Sequence, residues 1–164
     1  MSVNKNLLDF INRSPTPFHA VKNMRTELVK HGFKELRESE SEKLTPSGQY
    51  FVVRNNSSLV AFRVSDKGSM AGVRMVGAHT DSPCLKLKPN AVVEHDGYVQ
   101  LGVEPYGGVL MNPWFDRDLS LAGRVTLMSS DKILFSRLID FETPIAFIPS
   151  LAIHLDREAN SGRK

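Results

Sequence analysis

Val73-Arg74-Met75-Val76-Gly77-Ala78-His79-Thr80-Asp81-Ser82-Pro83 is the stretch that decides the reading of this chain. An apolar run ends in small residues, and His79 and Asp81 follow two positions apart. Side chains of a β-strand repeat every two residues, so the spacing predicts a strand that presents both groups to one side where it runs out. In open α/β sheets, ligands gather at the carboxyl ends of strands. His79 stands where a metal ligand would stand. Asp81 stands where it could accept a hydrogen bond from the imidazole or reach the surroundings of a metal. Gly77 and Ala78 leave room beside the backbone for something bulky. A hydrogen-bonded histidine at a strand end, without a ligand role, is the other reading of so short a pattern.

The chain has 164 residues, enough for an ordinary domain with a hydrophobic core. Its hydrophobic fraction of 41% and charged fraction of 24% are those of a globular protein. Net charge is +3, and Lys and Arg are scattered, with no dense basic block for tracking phosphates. No nucleic-acid partner is expected. Cys84 is the sole cysteine, which excludes an intramolecular disulfide and points to a reducing compartment, hence a cytoplasmic protein. The first 13 residues lack a long apolar core, and no other segment is apolar enough to span a bilayer, so neither a leader nor a membrane is expected.

Outward from the central stretch, Leu7, Leu8, Phe10 and Ile11 lie at helical spacing and predict a helix over 3–13. Ser14-Pro15-Thr16-Pro17 breaks it, and Thr16 then Pro17 predict the cap and first turn of a second helix. His31-Gly32 closes that helix. His19, in its first turn, reads as a packing histidine or as a residue at a pocket rim. Residues 50–53 and 59–62 predict a hairpin, and 65–72 a polar loop. After Pro83 the pattern alternates: 85–88, 92–93, 98–103, 119–128 and 133–140 read as short strands, with turns at Asp96-Gly97, Gly107-Gly108 and 129–131. Leu151, Ile153, His154 and Leu155 predict a helix begun over 151–160 and capped by Ser150. The expected fold class is α/β: the start of a mixed-sheet domain over 1–84, then a β-rich domain over 85–164. Asp116, Arg117 and Asp118 read as an ion-pair network at a strand start or as an interface or substrate-facing loop. Trp114 reads as core or interface, and Cys84 as packing.

Four motifs occur in order: Ser14-Pro15-Thr16-Pro17-Phe18-His19, Gly77-Ala78-His79-Thr80-Asp81-Ser82-Pro83, the run from Trp114 to Val125, and Ile148-Pro149-Ser150-Leu151-Ala152-Ile153-His154-Leu155. Together they resemble the N-terminal part of the aspartyl aminopeptidase family of dinuclear zinc metallopeptidases. The resemblance implies a metallopeptidase α/β domain interrupted by a β-rich dimerisation domain, and a large homo-oligomer. It implies removal of N-terminal acidic residues, Asp or Glu, from peptides. It maps a zinc ligand onto His79 and an outer-shell or catalytic role onto Asp81. It maps onto His154 a histidine that reaches a neighbouring subunit's active site and meets substrate. The remaining ligands and the carboxylate base of the family lie in a C-terminal part that these residues do not match.

Peptide hydrolysis near neutral pH needs an activated water and a polarised carbonyl, which two zinc ions about 3.5–4 Å apart can supply. A catalytic zinc takes roughly three protein ligands. His79 alone cannot hold two ions, and a general base is also required. The chain is therefore expected to carry part of a two-zinc site and to be inactive alone. The alternative is a truncated, non-catalytic homologue acting as an assembly or regulatory subunit.

Overall fold

The computed structural model describes residues 2–67 and 72–161. It groups into two compact units, Met1–Ser82 with Ala122–Asp140, and Pro83–Leu121 with Phe141–Lys164.

In the first unit, α1 (Val3–Asn12) and α2 (Pro17–Lys30) follow the sequence signals closely. Thr16 caps α2: the His19 N–H donates to Thr16 Oγ1, and Pro17 occupies the first turn, where it needs no partner for a missing N–H. At the far end Gly32 takes φ of 81°, the left-handed conformation that stops the helix, and His31 Nδ1 donates to the Glu27 carbonyl at 2.8 Å. The sheet runs in the order β1 (Lys34–Glu35), β2 (Gln49–Arg54), β3 (Ser58–Arg63). β1 and β2 are parallel and β2 and β3 antiparallel, so the sheet is mixed and the fold is α/β, as expected. The β2–β3 hairpin turns on Asn55 and Asn56, both at positive φ, which asparagine tolerates better than other side chains. α2 lies against β1 and β3. The core is small: among the described residues the buried apolar side chains are Ala20, Val21, Tyr50 and Phe51. The hairpin of β7 (Ala122–Met128) and β8 (Leu134–Asp140) completes this unit. Its Arg124 stacks 4.1 Å from the Phe18 ring centroid and donates to the Asn55 carbonyl at 2.9 Å.

In the second unit, β4 (Cys84–His95) and β5 (Tyr98–Tyr106) form a long antiparallel hairpin. It turns at Asp96-Gly97, the expected place, where both residues have positive φ. The register shifts between Leu87 and Val92, beside Asn90 at φ 55°. β6 (Asp118–Leu119) pairs with β9 (Ala146–Phe147). Asp116 acts structurally: its N–H donates to the Ile148 carbonyl at 2.9 Å, and its Oδ1 accepts from the Ser150 N–H at 2.8 Å. Trp114 ends a short 3-10 turn, Asn112–Trp114, and is half-buried.

Two expected elements are absent. Residues 72–79 form no strand, and Val76 is 100% exposed. The apolar run finds no partner strand among the described residues, so its backbone has no ladder to join. The expected strand over 119–128 is also broken, at Ser120-Leu121. The helix expected over 151–160 is replaced by successive turns, closed by Leu155 N–H to Ala152 O and Ala159 N–H to Asp156 O. Leu151, Ile153 and Leu155 are exposed, so no tertiary contact offsets the cost of nucleating so short a helix. Part of the polar loop expected over 65–72 lies outside the described residues.

Candidate metal centre

His79 is held by its own neighbourhood rather than by a strand. Its Nδ1 lies 2.7 Å from the Asp81 carbonyl oxygen and 3.4 Å from Asp81 Oδ1. A carbonyl oxygen only accepts, so Nδ1 carries the proton, and in the neutral ring the lone pair sits on Nε2. That is the tautomer a metal-binding imidazole needs when its other nitrogen is fixed by an outer partner. The His79 side chain is 79% exposed, so Nε2 is open to an ion. The next residue anchors the segment: Thr80 Oγ1 donates to the Ser57 carbonyl at 2.7 Å. Ser57 follows the left-handed pair Asn55-Asn56, so the β2–β3 turn fixes the height at which His79 is presented.

The sequence thus brings His79 and Asp81 together through a two-residue local contact, although the strand expected to carry them is absent. It brings no further donors. Among the described residues no group of three or more His, Cys, Asp or Glu is placed to hold a metal. The donor chemistry at His79 fits one zinc ligand with a carboxylate behind it, and does not fit a complete site. His154 lies in the second unit, exposed, within the turn closed by Leu155.

A shallow pocket of about 160 Å³ in the first unit is lined by residues that include Phe18, Lys22, Arg25, Arg124 and Leu138, and by neither His79 nor Asp81. Its arginines already have partners: Arg25 pairs with Glu35 at 2.6 Å, and Arg124 with Asn55. It holds no ligand set or acid–base pair.

His19 is a packing residue. It is buried, and its Nδ1 shares a 2.7 Å hydrogen bond with Thr16 Oγ1. Burial pushes its pKa below the usual 6.5; Asp140 works against this and Lys22 adds to it. The folded state therefore favours the neutral ring. Its contribution to stability is full above pH 6.5 and is lost as pH falls from 6.5 through the lower folded value. The urea midpoint is expected to drop between pH 7.5 and 5.5, with a slope of at most about 1.4 kcal/mol per pH unit from this group. His19→Gln is expected to flatten that dependence. An unchanged slope in the variant would assign it to other groups.

Comparison with known proteins gives these positions a context. A profile of the aminopeptidase I zinc metalloprotease family (M18) matches residues 10–164. A probable M18 family aminopeptidase 2 of Pseudomonas fluorescens is 52% identical over 162 residues, covering 98% of this chain and 38% of the relative. The chain therefore spans well under half the length of the curated relatives it matches. Among solved structures, one described as the cryo-EM structure of the Ape4 and Nbr1 complex superposes with a TM-score of 0.87 at 44% identity, over 97% of this chain and 31% of that one. The mApe1 dodecamer of S. cerevisiae superposes with a TM-score of 0.82 at 33% identity, over 93% of this chain and 36% of that one. With nearly all of its length inside that match, this chain belongs to the M18 family of aminopeptidase I zinc metalloproteases.

Proposed function

We propose that this chain supplies the N-terminal part of a zinc-dependent aminopeptidase and contributes His79 Nε2 as a ligand to one of two zinc ions. The observation that carries the reading is the Nδ1 contact to the Asp81 carbonyl, which leaves Nε2 as the metal-binding nitrogen. Zinc would supply Lewis acidity and an activated water to the complete site. The chain's own contribution is orientation: Asp81 holds the ring, and Thr80 ties the segment to the sheet turn. In this reading the substrate is a peptide with an acidic N-terminus. His154, exposed in the second unit, meets it from a neighbouring subunit of a homo-oligomer. The dodecameric relative and the β-rich 85–164 region support assembly of that kind. The setting proposed is the cytoplasm; no helix among the described residues is long and apolar enough to cross a membrane.

The site is incomplete among the described residues, so peptidase turnover is not expected of the chain alone. The test joins this sequence to the portion of the Pseudomonas fluorescens relative that lies beyond the match. With zinc, the joined chain is expected to release N-terminal Asp or Glu at least about ten times faster than Leu or Lys, while the isolated chain stays at background. Robust turnover by the isolated chain, or no acidic preference in the joined one, would overturn the respective part of the reading.

A further inference from the structure

We propose that the shallow pocket bounded by α2 and the β2–β3 and β7–β8 hairpins binds a small organic carboxylate, with its head on Lys22 and Arg124 and its apolar body on Phe18, Val53 and Leu138. The whole pocket lies in the first unit and includes neither His79 nor Asp81, so the inference is independent of the metal reading.

Every charged residue of the lining is cationic: Lys22 and Arg25 from α2, and Arg124 from β7. Glu35, which pairs with Arg25, and Asp140, whose charge acts on His19, both stand outside the lining. A cleft lined by one sign of charge focuses the potential and concentrates counter-ions. The three cations differ in what they have left to give. Arg25 donates from Nε to Glu35 Oε2 at 2.8 Å and sets Nη2 2.6 Å from the same oxygen, so its charge is offset. Lys22 forms no ion pair among the described residues. Arg124 directs Nη1 to the neutral Asn55, at 2.9 and 3.1 Å, and likewise forms no ion pair among the described residues. Its guanidinium is stacked 4.1 Å from the Phe18 ring centroid, which fixes the plane and leaves the Nε–Nη2 edge for an acceptor. That edge matches a carboxylate in a bidentate pair.

The opposite wall is apolar. Phe18, Val53 and Leu138 are each half-buried, so carbon surface remains to be covered. A volume of about 160 Å³ falls below the roughly 300–1,000 Å³ of sites for drug-sized ligands, and suits a head group with a few carbons. An inorganic anion would satisfy the cations and leave the carbon wall in water. A neutral apolar molecule would do the reverse. A carboxylate on a short branched chain satisfies both.

Titration of the zinc-free 164-residue chain with 3-methylbutanoate, followed by amide chemical shifts, provides the test. The expected result is a saturable, millimolar Kd, as for other ligands of so few atoms, with the largest shifts at Lys22 and Ser136 in the lining. The uncharged isostere 3-methylbutanamide is expected to bind at least about tenfold more weakly. Formate, a head without a body, is expected to lose at least about tenfold as well. N-acetylleucine presents the same head and body as a peptide terminus: tighter binding than 3-methylbutanoate would assign the site to a peptide C-terminus, weaker binding to a free acid, and both uphold the proposal. Lys22→Gln is expected to weaken binding about two- to fivefold, the range for an exposed ion pair. Lys30→Gln makes the same charge change on the same helix, outside the lining, and is expected to leave affinity unchanged. Amide or formate binding as tight as the carboxylate, inorganic phosphate binding more tightly than it, or equal losses in the two lysine variants would overturn the proposal.

Discussion

Phe51→Ala is expected to cost the first unit about 3–5 kcal/mol, the usual range for emptying a buried phenylalanine site. Phe51 has 0% exposure and lies on the middle strand β2, opposite Glu35 on β1 and Ala61 on β3. Val21 on α2, at 2% exposure, is the other fully buried side chain among the described residues. With so few buried neighbours, little can collapse into the space. A domain of ordinary stability holds about 5–15 kcal/mol in all, so the loss takes a large share of it. Urea unfolding followed by far-ultraviolet circular dichroism should show a sharply lowered midpoint or no cooperative transition. Val60→Ala, on exposed β3 surface of the same sheet, should stay within about 0.5 kcal/mol of the parent. Equal losses at the two positions would mean that the core lies elsewhere.

His79→Ala in the joined, M18-length chain is expected to weaken zinc binding by more than about 100-fold, with peptidase activity falling in step. Removing an outer partner of a metal-bound histidine typically costs 10–100-fold, and removing the ligand should exceed that. Asp81→Asn is expected to fall within the 10–100-fold range. It keeps the backbone carbonyl that accepts the hydrogen bond from Nδ1 at 2.7 Å and alters only the carboxylate 3.4 Å away. Competition against a chelator of known affinity gives the ranking. Parent-like zinc affinity in His79→Ala would remove position 79 from the metal site, whatever happens to turnover.

The elements legible in the sequence are those specified by neighbours in sequence. Thr16-Pro17 and His31-Gly32 bound α2 where capping chemistry puts them, and Asn55-Asn56 and Asp96-Gly97 make the turns their left-handed tolerance allows. The family resemblance was legible too, because four motifs recur in order. The elements that differ depend on distant partners. Val73 to Ala78 has the composition of a covered strand, and Leu151 to Leu155 that of a packed helix face, yet in both the apolar side chains are exposed. Periodicity reports what a segment would do against a suitable surface and not whether that surface is present. The candidate site divides the same way. The His79–Asp81 pairing spans two residues and was readable. The Thr80–Ser57 bond spans 23 positions and left no local signal.

That tether separates the chemistry of the ring from its location. Thr80 hangs the histidine from a bend whose shape is set by the backbone of Asn55 and Asn56, while the sheet's middle strand, β2, is rooted at Phe51. One residue added to the bend would swing the imidazole as a crane swings its hook, with every donor atom chemically intact. In the metal site proposed for His79, ion affinity would thus depend on loop length, at a place where no alignment of coordinating residues would look.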